Sequence, residues 1–205
     1  MKTLVTGGAG YIGSHTVLAL LEDGHEVVVL DNFSNSSPVA LTRVENLSGK
    51  SLELYEGDLL DGILLDKIFG DHSDIGAVIH FAALKAVGES TREPLRYYRN
   101  NVSGSVSLLE AMKKAEVRNI VFSSSCTVYG EPEEVPILES HPIGRISSPY
   151  GRTKHVVEGM IEDYSATLPG FKAAVLRYFN PVGAHSSGEI GEDPNGIPDN
   201  LVPFV

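Results

Sequence analysis

Tyr150 and Lys154 stand four positions apart. On a helix such positions share a face, so a phenol and an ammonium would point into the same space. A free phenol titrates near 10 and is a poor base at neutral pH. A neighbouring ammonium favours the phenolate, which makes this pair a candidate proton acceptor for a hydroxyl. Near the N-terminus, Gly7, Gly10 and Gly13 fall in the spacing GxxGxxG within TGGAGYIG, after a short apolar run and before an amphipathic one. Glycine lets the backbone turn off a strand and approach a pyrophosphate with no Cβ between them. The helix that follows offers unpaired N–H groups and the positive end of its dipole. A phosphate cradle combined with an acid/base pair points to redox chemistry at a carbon bearing a hydroxyl.

Asp31 refines the ligand. It closes the apolar run EVVVL, where a carboxylate can accept both hydroxyls of an adenosine ribose and would repel a 2′-phosphate. Asn32, Phe33, Ser34 and Asn35 follow, with no arginine beside them, so the reading favours NAD over NADP. The alternative for Asp31 is a turn-capping role. Asp58 ends a third apolar run, where it can accept the adenine amino group or cap the next helix. Phe81-Ala82-Ala83 ends a fourth run with small residues against which a cofactor can lie, and Lys85 beyond them is placed to reach a phosphate or to sit in solvent. An oxidised nicotinamide near Tyr150 would further favour the phenolate, and Lys154 would donate to its ribose.

Ser123-Ser124-Ser125 follows a fifth run, at the carboxyl end of the sheet, where ligands bind in open α/β folds. Ser125 is the candidate for orienting a substrate hydroxyl towards Tyr150, with Thr127 second. Cys126 reads as a small packing residue, since no histidine in the sequence is placed to activate it. His80 lies inside an apolar run and reads as a core histidine. The other histidines lack metal-ligand spacing, so no metal site is expected.

These residues need a scaffold, and the pattern supplies one. Apolar runs at 3–6, 26–30, 52–55, 77–81, 119–123 and 173–179 alternate with amphipathic stretches at 11–22, 38–47, 59–69, 94–114 and 149–168. Such alternation is the signature of βαβ units, and we expect an α/β fold with a Rossmann-type doubly wound parallel sheet flanked by helices. From Asn180 onward prolines and glycines forbid a long helix, and the stretch reads as an ordered excursion. The formal charge of -11 argues against nucleic acid as a partner. A single cysteine, Cys126, excludes an intrachain disulfide. No apolar run has the length to cross a bilayer, and a cytoplasmic location is expected. The apolar ending Leu201-Val202-Pro203-Phe204-Val205 suggests a chain cut short.

Taken together, TGGAGYIGSH, LDNFSNS, HFAALKAVGES, SSSCTVYG, SPYGRTK and LRYFNPVGAH resemble the extended short-chain dehydrogenase/reductases and, within them, the UDP-glucose 4-epimerase family. KAVGES and RYFNPVGAH followed by GEDPNGIPDNL carry the more specific part of the likeness. The resemblance implies that NAD is held by Gly7, Gly10, Tyr11, Ile12, Gly13, Asp31, Asn32, Asn35, Ser36, Asp58, Leu59, Phe81, Ala82, Lys85, Asn100, Tyr150, Lys154 and Tyr178. It implies that a UDP-sugar meets Ser125, Tyr150, Phe179, Asn180, Asn200 and Leu201. Tyr150 would be the base, Lys154 would tune it and Ser125 would assist, in a reversible hydride transfer at C4 of the sugar through a 4-keto intermediate. It further implies an NAD-binding domain over 1–180, the start of a UDP-sugar-binding region over 181–205 with its remainder beyond Val205, and a homodimer built on the helices at 94–114 and 149–168.

Other readings remain at this point. A nucleotide-sugar dehydratase or reductase shares the family motifs, although dehydratases place acidic residues beside the serine and here Cys126 and Thr127 follow Ser125. An NAD-binding fragment without activity is the other.

Overall fold

The computed structural model describes residues 1–193. Six strands, β1 (Lys2–Thr6), β2 (Glu26–Asp31), β3 (Glu53–Glu56), β4 (Ile75–His80), β5 (Asn119–Ser125) and β6 (Lys172–Tyr178), form one sheet in the order β3-β2-β1-β4-β5-β6. Every neighbouring pair is parallel. This is the doubly wound Rossmann order, and the chain reverses its direction of travel across the sheet between β1 and β4. Side chains alternate across the sheet, so both faces of the central strands carry aliphatic residues. Leu4, Val28 and Leu30 point into a core with α3 (Gly62–Asp71), α6 (Gly104–Lys114) and α7 (Pro149–Thr167). Val5, Val27 and Val29 point into a second core with α1 (Tyr11–Glu22) and α2 (Pro38–Ser48).

Helix boundaries follow local chemistry. Ser37 accepts from Val39 N–H and precedes Pro38, and Gly49 ends α2 at φ 65°. Ser148 accepts from Gly151 N–H at 3.1 Å and precedes Pro149, which fixes where α7 begins and so where Tyr150 and Lys154 sit on it. Asp61, not Asp58, caps α3, accepting from Ile63 and Leu64 N–H.

The structure departs from the sequence reading in three places. The stretch expected as one helix over 94–114 is α5 (Pro94–Tyr97), a wide π-helical segment (Tyr98–Ser103) and then α6, in unbroken succession. A short helix, α4 (Val87–Arg92), precedes it without a long enough apolar repeat to announce it. The three serines belong to β5 rather than following it, because parallel pairing with β6 continues to Ser125 opposite Tyr178. No helix among the described residues is long and apolar enough to cross a membrane.

Candidate active site

A cleft of about 500 Å³ opens at the carboxyl edge of the sheet and reaches both sides of the β1/β4 reversal. Every described residue that the sequence nominated for cofactor or substrate lines it: the glycine loop, the segments after β2, β3 and β4, Asn100, Ser125, Tyr150, Lys154 and the segment from Tyr178 to Asn180. Asn200 and Leu201 lie outside the described residues.

The three glycines do different work. Gly7 has φ +72°, and a Cβ on it would come within 2.7 Å of the Ala82 nitrogen. On Gly13 a Cβ would fall 2.1 Å from the Gly7 carbonyl oxygen. These two glycines are demanded by the fold. A Cβ on Gly10 would meet nothing nearer than 3.4 Å, an ordinary contact. Gly10 is the N-cap of α1 and its end carries no side-chain cap, so bare N–H groups face the cleft where the loop is smallest.

Asp31 ends β2 and is buried. One carboxylate oxygen accepts from Ala9 N–H in the glycine loop at 2.9 Å; the other accepts from Phe33 N–H and the Ser36 hydroxyl, both at 2.9 Å. The turn-capping reading therefore holds, and the same carboxylate fixes the loop beside the cleft. Asp58 accepts from Leu60 N–H and from the Asn32 amide, both at 2.9 Å. Lys85 lines the cleft half-exposed, and its ammonium pairs with Glu192 at 2.9 Å.

Tyr150 and Lys154 lie one turn apart on α7. The helix approaches the 3₁₀ turn after β5 (Cys126–Tyr129) closely, because Gly151 has no side chain; a Cβ there would sit 2.7 Å from Ile146 and 3.2 Å from the Thr127 carbonyl. Ser125 Oγ accepts from both Thr127 N–H (3.2 Å) and Thr127 Oγ1 (3.0 Å). With those lone pairs engaged, the Ser125 O–H is oriented to donate. Thr127, the second candidate, thus acts on Ser125.

Lys154 is buried. Its ammonium donates to the Ser123 carbonyl at 2.6 Å and lies 4.9 Å from the centre of the Phe122 ring. Burial lowers its pKa to about 7, against the opposing field of Glu158 one turn along the helix. Tyr150 moves the other way: burial raises its pKa, and a hydrogen bond with Ser125 offsets this only in part. The lowering that the sequence reading expected draws on the ammonium together with an oxidised nicotinamide; the phenol's own surroundings, burial first, act in the opposite direction. His80 is a core histidine, as read. Ser105 donates to the Asn101 carbonyl at 2.6 Å, so it accepts from His80 Nε2 at 2.9 Å, and Nδ1 accepts from Thr6 at 2.7 Å. Burial, with the Lys154 charge as a second cause, lowers the His80 pKa to about 3. Among the described residues no group of three or more His, Cys, Asp or Glu side chains is arranged to hold a metal ion.

A family model described as the NAD dependent epimerase/dehydratase family matches residues 3–203. The chain belongs to this family. The UDP-glucose 4-epimerase of Erwinia amylovora is 58% identical over 205 residues, and that of Mus musculus 55% identical over 210. Each match covers 100% of this chain and 60% of the relative, so the chain spans 60% of the length of these curated relatives. The crystal structure of UDP-glucose 4-epimerase from Bifidobacterium longum, in complex with NAD+ and UDP, matches at 50% identity with a TM-score of 0.97, over 100% of this chain and 61% of that one.

For a member of the NAD dependent epimerase/dehydratase family, the sequence reading left unnamed some residues that support the cleft and some that line it. Glu158 receives the Ser124 hydroxyl and a two-point ion pair from Arg177 (3.0 and 2.7 Å), and so ties α7 to β5 and β6 behind Lys154. Its spacing of four from Lys154 was the available signal. Asn101, on the π-helical segment, donates to Leu84 O at 3.0 Å and to Thr153 Oγ1 at 3.1 Å, and accepts from Leu84 N–H at 2.9 Å. Arg43, Glu189 and Ile190 also line the cleft; nothing local in the sequence announces them.

Proposed function

We propose that this chain carries the NAD site and the acid/base residues of a UDP-glucose 4-epimerase, which interconverts UDP-galactose and UDP-glucose. The observation that carries the reading is the convergence of Ser125, Tyr150 and Lys154 with the glycine loop and Asp31 on one cleft. The relatives' names supply the substrate, and the Bifidobacterium longum complex supplies the ligand pair.

The residues fit a dinucleotide. Gly10 leaves open space where a pyrophosphate would need it, and the start of α1 has uncapped N–H groups. Asp31 and Ser36 would hold the adenosine ribose, Asp58, Leu59 and Asn32 the adenine end, and Tyr150, Lys154, Asn100 and Tyr178 the nicotinamide end. Bound there, NAD would accept a hydride from C4 of the sugar and return it to the other face of the 4-keto sugar. Tyr150 takes the C4 hydroxyl proton and gives it back. Because burial favours the protonated phenol, the proton leaves when positive charge shares the pocket, which Lys154 on the same helix face and an oxidised nicotinamide would together provide. Ser125, with its lone pairs engaged by Thr127, donates to the same substrate oxygen and orients it. Phe179 and Asn180, both in the cleft wall, together with Asn200 and Leu201, would meet the UDP-sugar.

The reading includes a homodimer and a cytoplasmic location. Leu95 is 81% exposed, and Val106 and Val156 are exposed on the same helices that the sequence nominated for a dimer contact. The deciding experiment is conversion of UDP-galactose to UDP-glucose, compared with Tyr150→Phe. Loss of about 10²-fold to 10⁴-fold in kcat is expected; turnover that survives the substitution removes Tyr150 as the base.

A further inference from the structure

After β6 the chain turns back. β6 is the last strand at one edge of the sheet, and α2 packs near the other side, beyond β1. From β6 to β2 is four strand spacings, on the order of 19 Å. The segment from Phe179 to Asp193 covers that distance across the mouth of the cleft, and both its beginning and its end line it.

It is anchored at four points, spread over α1, α2 and the segment after β4. The Tyr11 hydroxyl, at the start of α1, donates to the Gly183 carbonyl. Arg43, on α2, donates to the Glu189 carbonyl at 2.8 Å and faces the Glu189 carboxylate at 3.7 Å. Lys85, after β4, pairs with Glu192. Between these, Ile190 is 4% exposed and packs into the α1/α2 core with Val17, Leu41 and Val44. The loop is also closed on itself: His185 N–H donates to Ile190 O at 3.1 Å, and Gly188 N–H to His185 O at 2.9 Å. A loop that met the cleft by chance would not bury its large aliphatic side chain in a core and reach a separate partner on α1, α2 and the β4 loop.

We infer that residues 183–192 form a strap over the cleft and that its anchors set how fast a bound dinucleotide leaves. The inference rests on the NAD reading above. A ligand seated between the glycine loop and Lys154 lies under this crossing, so exchange requires the Ile190 side chain to leave its core and the Arg43 and Lys85 contacts to part. A strap of this kind suits a reaction in which one dinucleotide serves many turnovers: the hydride is returned to the sugar, so nothing in the cycle requires the dinucleotide to exchange. The four anchors are drawn from residues far apart in sequence.

The test uses the full 205-residue chain loaded with NAD. Release is followed by dilution into excess ethenoadenine dinucleotide, whose fluorescence reports exchange, and hydrogen exchange is read over residues 185–191. Ile190→Ala is expected to speed release about 30-fold or more, the scale set by removing a buried aliphatic side chain. Arg43→Met changes a half-exposed side chain and so keeps the test independent of folding; it is expected to speed release about threefold. In both, amide exchange in the segment rises while that of β1 and β4 stays put. Release at the parent rate in both variants overturns the strap and leaves the NAD reading standing. A parent chain that takes up no NAD overturns the reading itself, and the strap with it.

Discussion

The Lys154 ammonium donates to the backbone carbonyl of Ser123 at 2.6 Å and has almost no contact with solvent. That relationship decides the electrostatics of the cleft. Burial holds Lys154 at about 7, against an ordinary 10.5. Between those two values the unfolded chain binds the proton more tightly than the folded one, so the stability set by this residue rises with pH across the window. The cost of the buried ammonium is present in full below about pH 7. Lys154→Met should therefore stabilise the chain at pH 6 by on the order of 1–3 kcal/mol, with the gain shrinking towards pH 10. Urea unfolding of both proteins at the two pH values measures it. A gain that does not change with pH would mean that packing, not charge, is the source.

The glycine loop separates folding from binding. Gly10→Ala should cost less than about 1 kcal/mol in stability, since the position is an unstrained N-cap with room for a Cβ. It should weaken NAD binding by about tenfold or more, because the added methyl stands where a pyrophosphate would approach. Gly13→Ala should cost about 1–3 kcal/mol in stability, since its Cβ falls on the Gly7 carbonyl. Thermal melts paired with NAD titrations read both effects. Equal destabilisation by the two changes would be the contrary result.

His80 predicts an acid limit. Its folded pKa of about 3 lies below the ordinary 6.5, so its contribution is intact above pH 6.5 and is lost as pH falls towards 3. His80→Gln breaks the bonds to Thr6 and Ser105 and should be less stable at pH 7. Its stability should fall less steeply than the parent's between pH 6.5 and 4, which chemical denaturation across that range would show.

Ser125 and Thr127 should differ in degree. On the proposed reading Ser125→Ala removes the donor to the substrate oxygen, and kcat is expected to fall about 10²-fold with KM little changed. Thr127→Val removes one hydrogen bond that orients Ser125 but keeps the backbone one, so its kcat should fall less. Steady-state kinetics with UDP-galactose separates the two. A larger loss in Thr127→Val would exchange their roles.

What the sequence determined by itself was local. Alternating periods marked all six strands, since a buried parallel strand and an amphipathic helix leave different repeats. The spacing of Tyr150 and Lys154 placed both on one helix face, and the GxxGxxG loop announced the strand-turn-helix unit. The residues nominated for the cleft, from Gly7 to Asn180, do line it, because in a doubly wound sheet the ends of successive strands meet at one edge.

What only the tertiary structure decided depends on contacts between distant positions. It separated the glycines required by packing from the one left open, which turns on Ala82 and on the loop's own carbonyls. It set burial against the phenolate of Tyr150, because desolvation depends on what surrounds the phenol and not on the residue four places away. It also brought Glu189 and Glu192 back across the sheet to Arg43 and Lys85. No local repeat encodes that crossing, since a loop's path is fixed by the surface it lands on.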